Sequence, residues 1–191
     1  GGDGGDGGDG GDSGDGGGDG GTGGGDDTQF DGSGDVNVRV IGNSLFINGD
    51  TANNGIRLHL NEAGWITVSA LGDTTILGQS AYVVDGWNAI PGDLHINLAA
   101  GGDAIVIDGI DVNRSMYVTA TGDDYFVADD LSVNILADYR ATNAGNNTVA
   151  VTNSQLGNLF RVNTFGGNDS VYVSDTSISG VNIFNGRSGN D

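Results

Sequence analysis

Residues 166–173 read Gly-Gly-Asn-Asp-Ser-Val-Tyr-Val, and this element recurs on both sides at nearly constant spacing. Moving upstream, Gly145-Asn146-Asn147 is followed by Val149 and Val151. Gly122-Asp123-Asp124 is followed by Phe126 and Ala128, and Gly101-Gly102-Asp103 by Ile105 and Ile107. Downstream the chain stops at Gly189-Asn190-Asp191. The anchors Asp103, Asp124, Asn147, Asp169 and Asp191 are 21, 23, 22 and 22 residues apart. A fixed period of this size marks a repeat architecture. Apolar residues two and four positions after each anchor mark a strand with one buried face. Further alternating apolar positions lie between anchors: Ile96 and Leu98, Ile110 and Val112, Val162, and Val181 and Ile183. The frequent Gly and Asn argue against helices.

About 22 residues with two or three short strands make one rung of a parallel β-helix. The sequence therefore predicts an all-β chain: a β-solenoid of about six ~22-residue rungs over residues 28–191, preceded by a Gly/Asp-rich tail at 1–27. Strands of adjacent rungs pair ~4.8 Å apart, giving a rod core ~30 Å long. Ile105, Phe126, Val149 and Val171 are expected to stack in one inward column, and Ile107, Ala128, Val151 and Val173 in the next. Upstream, Asn53-Asn54-Gly55 precedes Ile56 and Leu58, 49 residues before Asp103. That interval has room for two coils, with an intermediate anchor near Gln79–Ser80 before Tyr82 and Val84. The competing fold is an antiparallel β-sandwich, but a sandwich has no reason to repeat one turn at one spacing.

Composition narrows the function classes. The 191 residues include 38 Gly, 25 Asp, one Glu (Glu62), six Arg and no Lys, for a net charge of −20. Such a surface repels nucleic acid and anionic membranes, so neither is an expected partner. Asp rather than Glu suits turns, where the short side chain bonds nearby backbone, and suits hard cations such as calcium. No Cys is present, which removes disulfides and thiolate chemistry. No apolar run reaches the ~20 residues of a membrane helix. The tail holds 17 Gly in its first 25 residues and no apolar side chain. It reads as a self-repelling linker. Its Asp every third residue from Asp3 to Asp15 also fits one edge of a polyproline-II-like helix, packed against a partner or lined with cations. Both ends read as cut, and head-to-tail stacking into a filament or continuation in a longer parent chain would each cap the end at Asp191.

The segments at 166–173 and 145–151 resemble half of the haemolysin-type (RTX) calcium-binding nonapeptide. The longer unit resembles the β-helix repeats of large secreted bacterial surface and matrix proteins, over roughly residues 36–191. The resemblance implies a secreted or cell-surface location and calcium at the turns. The period is about 22 rather than nine, and Asn147 stands where the nonapeptide has Asp. The candidate metal column is Asp124, Asn147, Asp169 and Asp191, where calcium between rungs would relieve carboxylate repulsion. The other reading of the same column is a ladder of Asx-turns, each side chain capping its own backbone. Asp123, Asp129 and Asp130 lie nearby.

No catalytic residue is assigned, and the chain is not expected to be an enzyme. Asp73, Asp85, Asp93, Asp108 and Asp111 lie in or near turns, and sugar-cleaving β-helical enzymes use clustered Asp, but nothing singles out a pair at the required separation. His59 and His95 alternate with Leu and Ile, face outward and lack metal-ligand spacing. Tyr117, Tyr125, Tyr139, Tyr172, Phe160, Phe165 and Phe184 suit cross-rung packing or a sugar-facing surface. The leading expectation is a structural or adhesive module of an extracellular surface, matrix or fibre protein. It would associate with itself or with neighbouring repeats, or bind polysaccharide or matrix components. The alternatives are a calcium-binding RTX-like module and a β-helical carbohydrate-active enzyme fragment.

Overall fold

The computed structural model describes Phe30 and residues 32–191. The tail read at 1–27 lies outside the described residues. Every regular element among them is a strand.

The repeat folds as the sequence predicts, into windings that pass through three sheets. One winding is β7 (Leu94–Asn97), β8 (Ala104–Asp108) and β9 (Asp111–Val112). The next is β10 (Ser115–Ala120), β11 (Tyr125–Asp129) and β12 (Ser132–Val133). Then come β13 (Leu136–Ala141), β14 (Thr148–Thr152) and β15 (Gln155–Leu156), and after them β16 (Leu159–Asn163), β17 (Ser170–Ser174) and β18 (Ser177–Ile178). β19 (Val181–Asn185) opens one more. Equivalent strands of successive windings pair in parallel, as Tyr125 does with Ala104 on one side and Thr148 on the other.

Four windings are complete, where the spacing predicts about six. The difference lies upstream. β2 (Ser44–Asn48) and β3 (Gly55–Leu60) pair in parallel with β7 and β8, so they belong to the winding directly before. The Asn54 N–H donates to Asp103 Oδ1 at 2.8 Å, which makes these two anchors adjacent. The 49 residues between them thus hold one winding and a detour. After β3 the chain reverses at Asn61–Trp65, where Asn61 Oδ1 accepts the Ala63 and Trp65 N–H groups and Gly64 sits at φ +75. β4 (Ile66–Ala70) then runs antiparallel on β3, and β6 (Ala81–Val83) antiparallel on β4. Gln79–Ser80, expected as a winding corner, instead leads into β6 of this cap. β1 (Asp35–Ile41) forms a hairpin with β2, and β5 (Thr75–Ile76) pairs with β1. Ile90 returns to the rod by bridging Val112 in parallel. This end of the solenoid therefore finishes in β4 and β6, running antiparallel from β3, and in β5, parallel on β1.

The core runs the length of the rod. Ile56, Ile105, Phe126, Val149 and Val171 stand in register, as do Leu58, Ile107, Ala128, Val151 and Val173. The facing sheet contributes Ile47, Ile96, Val118, Tyr139, Val162 and Phe184 in one column. Bulk is balanced across the lumen. The Phe126 and Tyr139 rings lie 5.5 Å apart, with Ala128 and Ala137 beside them. Alternating large and small residues let such layers interdigitate at the density of a protein interior. In β19 the inward residues are Asn182 and Phe184, paired with Phe160 and Val162. Val181 and Ile183, expected inward, point out. The register of β16 fixes this, because a one-residue offset exchanges the two faces of a strand.

Candidate functional site

The Gly-x-Asx anchors fall on one corner, between the sheet of β7, β10, β13, β16 and β19 and the sheet of β8, β11, β14 and β17. The corner is tight. A Cβ on Gly122 would overlap the Gly101 carbonyl oxygen, and one on Gly145 would overlap that of Gly122. Only glycine lets successive backbones come this close.

Two positions after each glycine, the Asx side chain turns into the rod. Asn54, Asp103, Asp124, Asn147 and Asp169 are all at least nine-tenths buried. Asp103, Asp124, Asn147 and Asp169 each accept a hydrogen bond from the equivalent backbone N–H of the winding before, Asp103 from Asn54, while Asn54 Oδ1 itself is buried without a partner. Asp103 N donates to Asp124 Oδ1 (3.2 Å), Asp124 N to Asn147 Oδ1 (3.3 Å), Asn147 N to Asp169 Oδ1 (2.8 Å) and Asp169 N to Asp191 Oδ1 (3.4 Å). The four residues singled out by the sequence, Asp124, Asn147, Asp169 and Asp191, are thus consecutive members of one ladder. The ladder bonds from winding to winding, and its asparagines also bond their own turns, Asn54 Nδ2 to the Ala52 carbonyl and Asn147 Nδ2 to the Gly145 carbonyl. One residue earlier, a second ladder runs the opposite way: the Asn146, Asn168 and Asn190 N–H groups donate to the side chains of Asp123, Asn146 and Asn168.

The inner ladder is electrostatically unusual. Oδ2 of Asp103, Asp124 and Asp169 is buried without a hydrogen-bond partner. Burial pushes the Asp103 carboxyl up to about 6, against the bonds from Asn54 that lower it and with the nearby Asp50 charge adding to the rise. Burial pushes Asp124 up to about 7, opposed by the Asp103 N–H and reinforced by the Asp103 and Asp123 charges. Tyr139 reaches this corner from the opposite sheet, its hydroxyl 3.5 Å from Asn147 Oδ1. Burial raises its pKa, and the charges of Asp124, Asp169 and Asp103 add to that. Among the described residues, no group of three or more His, Asp or Glu side chains is placed to hold a metal ion.

The remaining candidates separate. Asp93 Oδ1 accepts the Ser115 N–H, Asp108 pairs with Arg57 at 2.8 Å, and Asp73, Asp85 and Asp111 are exposed. His95 lies flat between Phe46 and Tyr117, with ring centroids 4.5 and 5.0 Å away, and His59 bonds Ser69 at 3.0 Å. The stacked rings cover one another's faces along the rod, which leaves edges rather than a flat platform for a sugar. Tyr139 and Phe160 are core residues, while Tyr125 and Tyr172 are exposed.

Two features escaped the sequence. On the outer face, Asp138 is 2% exposed and bridges Arg140 and Arg161. Burial pushes its carboxyl up, but the Arg161 and Arg140 hydrogen bonds outweigh this and hold it below the usual range. A second corner is lined by Gly109, Asp130, Asn153 and Asp175, all in the left-handed region (φ +63, +50, +50 and +50). These are again 21, 23 and 22 residues apart, so the signal was in the sequence.

The far end of the rod is uncapped by other described strands. Val171 is 40% exposed and Phe184 51%, where Val149 and Val162 one winding earlier are 0% and 1%. Together with Val162, Thr164, Asp169 and Asp191 they line a recess of about 340 Å³ at the mouth of the lumen. Comparison of the chain with protein-family models, curated proteins and solved structures found no match.

Proposed function

We propose that this chain is a structural module of an extracellular surface, matrix or fibre protein, joined end to end with a second copy through the open face of its last winding. The observation that carries the proposal is the contrast between the two ends. At the first end Ile56, Leu58, Ile66, Val68 and Ile76 are fully buried, while at the other, beside the edge strands β17, β18 and β19, Val171 and Phe184 are 40% and 51% exposed. An unpaired strand edge offers a row of N–H and C=O groups to another chain. At this end it also borders apolar side chains that the rod buries everywhere else. Because the first end carries β5 and β6 rather than parallel coils, the contact joins open end to open end. The patch is then the same on both copies, as a two-fold pair requires. The anionic, Lys-free, Cys-free composition and the repeating windings support a structural role.

Charge opposes this contact. Two chains of net charge −20 repel, and Asp169 and Asp191 lie at the joining face. Salt screens that repulsion, with a Debye length near ~8 Å at physiological ionic strength. Sedimentation over a concentration series should reveal dimers that strengthen as NaCl is raised and vanish in Phe184→Asp. A wild-type protein that stays monomeric at every concentration and salt level contradicts the proposal.

A further inference from the structure

The inner ladder contains its own comparison between amide and acid. Asn54 Nδ2 donates to the Ala52 carbonyl at 2.7 Å, and Asn147 Nδ2 to the Gly145 carbonyl at 2.8 Å. In both, the amide nitrogen is a donor to the residue two positions earlier, and in Asn147 the opposite atom, Oδ1, accepts the ladder bond from the Asp124 N–H. Asp103 and Asp124 hold equivalent places, with their Oδ1 atoms making the same ladder bonds. Their second atom is an oxygen, Oδ2, buried with no partner. An ionised carboxylate only accepts, so it can offer nothing to a carbonyl. A protonated one has a donor there.

We infer that Asp103 and Asp124 are carried as neutral carboxylic acids whose Oδ2 protons are donated to the Gly101 and Gly122 carbonyls, making each an equivalent of the asparagines in the same ladder. The surroundings favour the neutral form. Asp103 faces Asn54, Asp50 and Asp124; Asp124 faces Asp103, Asp123 and Asn147; Tyr139 approaches from the opposite sheet, and Asp169 and Asp191 continue the column. None of these carries a positive charge, and the hydrogen bonds that favour the anion, from Asn54 to Asp103 and from the Asp103 N–H to Asp124, are outweighed by burial. The upward displacement of both carboxyls to about 6 and about 7 agrees with this reading.

A carboxyl held above its unfolded value keeps its proton in the fold where the unfolded chain has lost it. Stability therefore falls as pH rises from about 4 to about 7, and is level above that. The corner is tightest in mild acid and loosens as the two acids ionise. The other shifted carboxylates, Asp50, Asp129 and Asp138, are lowered, so their contribution changes below this window.

The test is urea unfolding at pH 5 and pH 8 of the full chain, of Asp103→Asn/Asp124→Asn, and of Asp73→Asn/Asp85→Asn, which makes the same charge change at exposed sites. The wild type and the surface control should lose stability between pH 5 and pH 8. The ladder variant should not, and at pH 8 its folding constant should exceed that of the wild type by about a hundredfold. A ladder variant that keeps the wild-type pH slope, or is the less stable protein at pH 8, overturns the inference. So does a surface control that reproduces the gain. Stabilisation of the wild type, but not of the ladder variant, by calcium chloride at pH 8 overturns it too, because a cation rather than a proton would then neutralise the ladder.

Discussion

Asp138 is a case where one side chain ties together residues far apart in sequence. Its carboxylate accepts from Arg140 Nε at 2.8 Å and from Arg161 Nε at 2.7 Å, joining two successive windings on the outer face. Removing one partner of a buried pair leaves the other charges uncompensated. Arg140 is half exposed and Arg161 a quarter exposed, so water recovers part of that loss. Asp138→Ala should cost about 2 kcal/mol at pH 7, measured by urea unfolding. Because the Asp138 carboxyl sits below its ordinary value, its contribution is present above about pH 4 and fades as pH falls through the lowered value. The wild type and the variant should therefore converge in acid. A gap that persists unchanged at low pH would mean the loss comes from packing instead. This pair was not legible in the sequence, since nothing at the outward positions repeats. The Asx corner was legible, because tight backbone approach demands Gly and the ladder accepts either Asp or Asn. Its bonding direction was not, since an Asx side chain can bond its own turn or a neighbouring winding with the same local sequence.

The windings are interchangeable because each buries its inward residues only against the next. β8, β11 and β14 pair residue for residue, and the chain leaves each corner in the same way. Stability in such a rod is close to a sum over units and interfaces. Deleting residues 125–147 joins Asp124 to Thr148 and removes one whole winding, with β14 taking the place of β11. The shortened chain should fold with the same strand signature in circular dichroism and a smaller urea m-value, in proportion to the surface lost. Loss of cooperative unfolding would contradict that equivalence. The cap formed by β4, β5 and β6 stands apart from this scheme, and it is where the sequence misleads. Arithmetic allows 49 residues to be two windings. The contrary sign is that between residues 61 and 89 no Gly-x-Asx is followed by apolar residues at +2 and +4. Without the repeated corner the chain leaves the winding path, with β4 and β6 folding back antiparallel and β5 pairing in parallel on β1.

At the scale of the molecule, the proposed joining of open ends, the inferred acid-favoured corner and the predicted tolerance to losing a winding all rest on one long core of stacked windings. All three require that sequence-equivalent positions lie side by side. Val106, Val127, Ala150 and Tyr172 are paired neighbours on the outer face of one sheet. The chain has no native Cys, so spin labels can be placed in pairs at these positions alone. Electron paramagnetic resonance on the 106/127, 106/150 and 106/172 pairs should give separations that grow in equal steps of ~4.8 Å per winding. Separations that do not grow in that order, as in two facing antiparallel layers, would contradict the solenoid and everything built on its corner.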